Sequence, residues 1–510
     1  MPNGAGEFRG RLDTASNTIN GKWIQPAGIV NNNRYATPVQ LVPAINSVWT
    51  GRVIPLDDNI SFYVCIQPQP GGSNTAVIIN PEFNLFRRHS YDVTLKGSNV
   101  TFTNPKRSQD QFNGTYEKAS DRLFLTLLDS YPPVQLSRRD RGDALGFYAR
   151  TPDTAKYTYT EPIAGDGWPT ASLSDVGISE KPIATLIEKI LTADATDNPV
   201  DIDSLLIARH GKLVLEEYFH GFDKDRPHDM RSASKTFAPV LAGIVRELGV
   251  NLSPETSIYL LFPDDKPFAH PDARKNHVTL QALMTMTSGF ACDDNDDASA
   301  GNEDNMQSQT AQPDWYRYTL DLPMAAEPGG PHAVYCSADL NLMGGAVAHA
   351  SDSWLPELFD RYLARPLQFG TYHMNLMPTG EAYMGGGLYL RPRDDLKLGQ
   401  LYLSGGIWHA TRIVSEDWVR QSTTAYSTFD PQTNYDAPHE YGFGWHINRL
   451  HVGDRVFRAY SAGGNGGQIV MVIPHLDVVV TINGGSYGEF AKWYRWGLQL
   501  VPQYIIPALS

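Results

Sequence analysis

The 510-residue chain predicts an α+β fold in two parts: an all-β barrel or sandwich over residues 1–165, then a mixed helix-and-strand part over 166–510. The length exceeds what one hydrophobic core usually organises. Short β-rich runs punctuated by Pro, Gly and Asn occupy the first part, at 48–53, 60–66, 76–79, 91–95, 100–103 and 123–128. Apolar residues at helical spacing appear only after it.

Residues 157–169 read as the linker. A helix follows near 182–191, then a hairpin of strands 204–208 and 212–219 turned at His210-Gly211. Phe237, Val240, Leu241, Ile244, Val245 and Leu248 recur at helical spacing, with Gly249 placed to end the helix. Residues from about 255 to 380 are helical and loop-rich. Strands return near 441–447, 468–473 and 478–482, and 492–501 reads as a closing helix.

Hydrophobic content of 41% and charged content of 19% are ordinary for a soluble globular protein. The net charge of −14, without a long Lys/Arg run, argues against nucleic acid as a partner. No stretch is long and apolar enough to span a bilayer, and residues 1–10 lack the apolar core of a signal peptide. A chain with its leader removed would look the same, so a cytoplasmic and a periplasmic location both stay open. Cys65, Cys292 and Cys336 are odd in number and far apart, so no disulfide framework is expected. His270, His277, His332, His446 and His475 lack metal-ligand spacing and read as surface or core residues. Neither a metal nor an organic cofactor is expected. Oligomeric state is left open.

Asp293, Asp294, Asp296, Asp297, Glu303 and Asp304 form an acidic loop. A calcium loop needs Gly sixth and Glu twelfth; counted from Asp293 these are Ala298 and Asp304. The loop therefore reads as solvated, or as a cation-attracting rim. Arg87-Arg88-His89 and Arg138-Arg139-Asp140-Arg141 read as solvated charge clusters or contacts to a neighbouring domain.

The chemistry is carried by Ser232-Ala233-Ser234-Lys235 at the start of the 237–248 helix. Ser232 and Lys235 are one turn apart on one face, where outward N–H groups favour developing negative charge. A lysine so placed can take the serine proton if burial lowers its pKa. Alone, the tetrapeptide also fits a helix cap followed by a solvated lysine. Three further segments bear on the choice. Residues 278–290 form an apolar stretch ending in Thr287-Ser288-Gly289; Glu327-Pro328-Gly329-Gly330 precedes Tyr335-Cys336-Ser337; and Ser461-Ala462-Gly463-Gly464-Asn465-Gly466-Gly467-Gln468 leads into the apolar run 469–473. Taken singly, they read as a core helix with a glycine stop, a buried tyrosine before a helix, and a glycine-rich hairpin.

In this order the segments resemble the serine β-lactamase and penicillin-binding-protein-like hydrolases, in the class C-related branch of carboxylesterases, D-aminopeptidases and oligoamide hydrolases. Residues 386–396 and Tyr441-Gly442-Phe443-Gly444-Trp445 resemble further landmarks, and the likeness covers about 165–505. It implies an antiparallel sheet with flanking helices, interrupted by an all-helical insert at about 255–380. It also implies Ser232 as nucleophile, with Lys235 and Tyr335 sharing proton transfer; which of the two is the base stays open. Backbone N–H groups of Ser232 and Gly464 would form the oxyanion hole. Ser337, Ser461 and Gly463 would bind substrate; Ser337 stands where the family usually has Asn, and Ser461 where it has Lys. The implied function is amide cleavage in short, unusual linear peptides or oligoamides through an acyl-enzyme. The alternatives are a small-molecule carboxylesterase and a non-turnover sensor or binding protein.

Overall fold

The computed structural model describes residues 5–509 except 29–32, 46–47, 58, 128–131, 141–142, 144–145, 151–154, 194–197, 264–266 and 431–438. Among the described residues of the first 165 the regular elements are strands, as expected, but these divide between two sheets. Seven antiparallel strands run as a meander from Tyr63–Pro68 through Asn74–Ile79, Ser90–Lys96, Asn99–Asn104, Arg107–Glu117 and Arg122–Thr126 to Val134–Ser137. Ala76, Ile78, Phe86, Tyr91, Phe102 and Leu125 make its core.

The earlier strands Glu7–Asp13, Thr18–Gln25 and Arg34–Pro43 belong elsewhere. They open a sheet that continues through His373–Leu376 and Leu388–Leu390 to His228–Asp229, just upstream of Ser232. Met374 faces Ala36 across the junction, and Thr37 Oγ1 lies 2.8 Å from His373 Nδ1. Lys22 Nζ, buried on the second strand, is 2.7 Å from Asp360 Oδ1. Burial lowers its pKa to about 8, against the pull of Asp360. The meander is tied in as well. Arg88 pairs with buried Asp201, which also accepts from Ser486 Oγ at 2.7 Å, and Asn84 Nδ2 donates to the Tyr487 carbonyl.

The third sheet has eight antiparallel strands, ordered Lys212–Tyr218, Ile202–Arg209, Val478–Gly484, Gln468–Ile473, Arg455–Gly464, His446–Val452, His439–Tyr441 and Ser427–Phe429. Its central strands are buried on both faces, so most of Gln468–Ile473 and the first three residues of Val478–Gly484 read as apolar runs rather than alternating ones. Helix Glu180–Leu191 and the closing helix cover one face. The closing helix is α-helical over Phe490–Arg495 and widens over Trp496–Ile505, where Pro502 supplies no N–H. On the other face lie Pro392–Leu403 and Phe237–Glu247, the latter packed against Ser337–Ser351.

One sequence expectation is corrected outright. Cys292 and Cys336, 44 residues apart, form a disulfide, leaving Cys65 as the free thiol. Sequence separation gave no hint, because chain folding rather than spacing brings the two Cα atoms to 5.5 Å. Among the described residues no helix is long and apolar enough to cross a membrane.

Candidate active site

Ser232 lies in a tight turn, Arg231–Thr236, that leads directly into Phe237–Glu247. Arg231, immediately before it, adopts φ 46°, a left-handed conformation costly for a side chain with a Cβ, by roughly 1–3 kcal/mol. Asp229 holds it there: its Oδ1 accepts the Arg231 N–H at 3.1 Å, and its Oδ2 lies 2.7 Å from Arg231 Nε. The Arg231 guanidinium also lies over Tyr487, 5.1 Å from the ring centroid.

Two glycines let other elements close on this turn. A Cβ on Gly464 would come within 2.3 Å of the Met230 carbonyl and 2.9 Å of Ala233 N, so only glycine lets the strand Arg455–Gly464 approach Ser232. Gly444, at φ 72°, packs on Thr236, whose Oγ1 donates to the Gly444 carbonyl at 2.7 Å.

Lys235 is buried and its Nζ donates to Ser232 Oγ at 2.9 Å and to the Gly385 carbonyl. The ammonium lies 5.0 Å from the centroid of the Tyr335 ring. Burial alone would lower its pKa, but Tyr335, Glu303 and Asp294 together outweigh burial, and the net shift is upward. The sequence reading let the lysine take the serine proton if burial lowered its pKa; here Tyr335, then Glu303 and Asp294 from a distant loop, oppose that lowering. Ser234 is turned away, its Oγ accepting the Leu388 N–H, and Cys336 is consumed by the disulfide.

A cavity of about 320 Å³ opens over Ser232. Tyr335, Ser461, Gly463 and Gly464 line it, so the structure brings these together with the serine. Ser461 accepts from Asn448 Nδ2 at 2.8 Å and stands opposite His446 on the neighbouring strand. Ser337 is not brought to the cavity. It is fully buried, its hydroxyl taken by Asp294 and Glu303, because the helix it begins turns the side chain under the tyrosine segment. From the acidic loop, Asn295 joins the cavity lining, while Asp294 and Glu303 fold inward onto Ser337.

Two features of the cavity went unread in the sequence. His439 Nε2 and His446 Nδ1 are 2.8 Å apart along one side. Burial lowers the pKa of His439 to about 4; burial, then His439 and Lys235, put His446 further below the usual range. The cavity also has an apolar wall, built by Ile469 and Met471 with Phe490, Trp493, Tyr494 and Leu498 of the closing helix. Among the described lining residues none is Asp, Glu, Lys or Arg. Nor do the described residues contain a group of three or more His, Cys, Asp or Glu able to hold a metal.

The family model described as Beta-lactamase matches residues 202–489. A 6-aminohexanoate-dimer hydrolase of Paenarthrobacter ureafaciens is 22% identical over 311 residues, covering 58% of this chain and 76% of the relative. Among solved structures, EstCE1, a hydrolase with promiscuous acyltransferase activity, superposes with a TM-score of 0.50 at 15% identity, over 64% of this chain and 98% of its own. A family VIII carboxylesterase gives a TM-score of 0.49 at 14% identity, over 65% and 98%.

Proposed function

The chain belongs to the beta-lactamase family and is a serine hydrolase, and within that family we propose that it cleaves amide bonds in short, unusual linear peptides or oligoamides through an acyl-enzyme. The observation that carries this reading is the 2.9 Å contact from Lys235 Nζ to Ser232 Oγ beneath a cavity lined, among the described residues, without a charged side chain. Such a cavity suits an uncharged stretch of an amide chain, with its apolar part against Trp493 and Tyr494 and its polar bonds toward Asn448, Ser461 and His446. The relative that hydrolyses an aminohexanoate dimer supports amide chemistry.

In the proposed cycle Ser232 Oγ attacks the carbonyl carbon, and the oxyanion is held by the N–H groups of Ser232 and Gly464. The serine proton passes through Lys235 and Tyr335 to the leaving nitrogen; the same two groups then activate the water that frees the acyl product. Lys235 donates to Ser232 Oγ in the resting site, so the Lys235–Tyr335 pair must lose one proton before it can accept the serine's. Activity is therefore expected to rise with pH along one limb.

A carboxylesterase is the second reading, favoured by the apolar wall, which accepts an acyl chain as readily as a peptide side chain. Turnover of p-nitrophenyl butyrate compared with that of short peptide amides and linear oligoamides separates the two. Amide cleavage is expected. Fast ester hydrolysis with no amide cleavage would overturn the amidase reading.

A further inference from the structure

Two carboxylates meet on one hydroxyl beside the Lys235–Tyr335 pair. Ser337 donates its N–H to Asp294 Oδ2 at 2.7 Å, and its Oγ lies 2.6 Å from that oxygen and 3.0 Å from Glu303 Oε2. The Glu303 N–H donates to Asp294 Oδ1 at 2.9 Å, while Tyr383 OH and Gln307 Nε2 donate to Glu303 Oε1. A serine hydroxyl carries a single hydrogen. Placed between the two oxygens, that hydrogen bridges the acids as a shared, three-centre bond.

The acids are fastened to the segment that carries Tyr335. Asp294 donates its N–H to the Tyr335 carbonyl at 2.8 Å, and the disulfide joins Cys292, just upstream, to Cys336, the neighbour of Tyr335. We propose that Asp294 and Glu303, bridged by Ser337, are positioning residues that hold negative charge against Lys235 and Tyr335, thereby setting the pH at which that pair loses its own proton. The proposal rests on the reading of Ser232, Lys235 and Tyr335 as the reaction centre.

The groups facing the acids agree with it. Lys235 lies within reach of both, Arg231 within reach of Glu303, and Tyr383 hydrogen-bonds to Glu303. Asp339, on the helix that Ser337 begins, faces Asp294, and complete burial raises its pKa well above the usual carboxylate range. Burial, then the charge of Glu303, raises Asp294 to about 6 although Lys235 and Ser337 oppose them.

The test is the pH dependence of covalent inactivation by a fluorophosphonate probe, measured on the whole protein and therefore independent of the natural substrate. Glu303→Gln and, separately, Asp294→Asn keep the shape of the site and each remove one carboxylate charge facing Lys235. Each is expected to move the midpoint of the rising limb down by about one pH unit, roughly tenfold in rate on the limb. Glu303→Asp retains the charge and is expected to keep the wild-type midpoint even where it reacts more slowly. Rates lowered at every pH with an unmoved midpoint in both neutral variants would mean a purely structural role and overturn the proposal. If Ser232→Ala were labelled as fast as wild type, the reaction-centre reading itself would fall, and the proposal with it.

Discussion

The two sides of Ser232 differ in kind. The cavity side, formed by the glycine strand, the histidine pair and the closing helix, has no Asp, Glu, Lys or Arg among its described lining residues. The other side concentrates Lys235, Asp294, Glu303 and the Arg231–Asp229 pair around the same turn. Charge close to the serine and absent from the lining is what proton transfer requires and what recognition of a charged substrate does not. On the proposed reading the site spends its electrostatics on chemistry and recognises substrate by shape and neutral hydrogen bonds.

Removing the serine should break this contrast most completely. Ser232→Ala is expected to abolish turnover, while urea unfolding shifts by no more than about 2 kcal/mol, since the hydroxyl caps no helix and gives up one hydrogen bond from buried Lys235. More than trace activity would end its assignment as nucleophile. Lys235→Ala and Tyr335→Phe should each lower kcat by several orders of magnitude, roughly 10²–10⁴-fold by analogy with other acid–base groups. Combined, they should lose little more than either alone, because they serve one relay; fully additive losses would mean that they act separately.

Adding charge to the neutral side sharpens the comparison. Wild-type turnover of nitrocefin, whose carboxylate finds no Lys or Arg among the described lining residues, should be very slow or absent. Ser461→Lys should raise kcat/KM for it by about ten- to a hundredfold, the worth of one charge-assisted contact. Rapid wild-type turnover would show that another cation reaches the substrate. On the apolar wall, Trp493→Ala should raise KM for a long-chain p-nitrophenyl ester by about tenfold and leave kcat within a factor of about three, because it removes buried contact rather than transition-state charge.

The smallest effect concerns stability. His439 and His373 have folded-state pKa values lowered by burial to about 4 and about 3, so below the ordinary histidine value the unfolded chain binds more protons than the folded one. Their contribution is complete above about pH 6.5 and is lost as pH falls through that value toward 4. Replacing His439 with Gln should therefore flatten the acid side of the Tm–pH curve relative to wild type. An unchanged slope would mean that the pair is hydrated in solution.

Ser232 and Lys235 were legible because their relation is local: one turn of chain fixes it, and the apolar spacing of 237–248 marks the helix behind it. The strand Gln468–Ile473 was equally plain, since a strand buried on both faces announces itself as an unbroken apolar run. The strands Glu7–Asp13 and Arg107–Glu117 were missed for the opposite reason. Their residues are mostly exposed or half-exposed, and Arg, Asp, Gln and Asn break any apolar alternation. Asp294, Glu303, His439, His446 and the wall of the closing helix each meet Ser232 across long stretches of chain, and no spacing rule reports such a meeting. The disulfide was misread on the same ground. Ser337 matched a family motif by position, yet its side chain points into the protein. A motif gives the place of a residue and leaves its direction to packing.

The pairing of Arg34–Pro43 with His373–Leu376 has a consequence for the order in which the molecule can be made. Thr37 and His373 are 336 residues apart, and the sheet they join ends at His228–Asp229, the strand that aims the Arg231–Ser232 turn. At roughly 10 residues per second, the third strand waits about half a minute on the ribosome for its partner. Throughout that interval Arg34, Tyr35 and Ala36 present an unpaired edge, open to other chains, and the serine turn lacks its bracing. Contacts of such separation also close slowly once both strands exist. Competence for hydrolysis should thus arise late and all at once, after release of nearly the whole chain, and a chaperone that shields early strands should raise the yield of active protein more than its solubility.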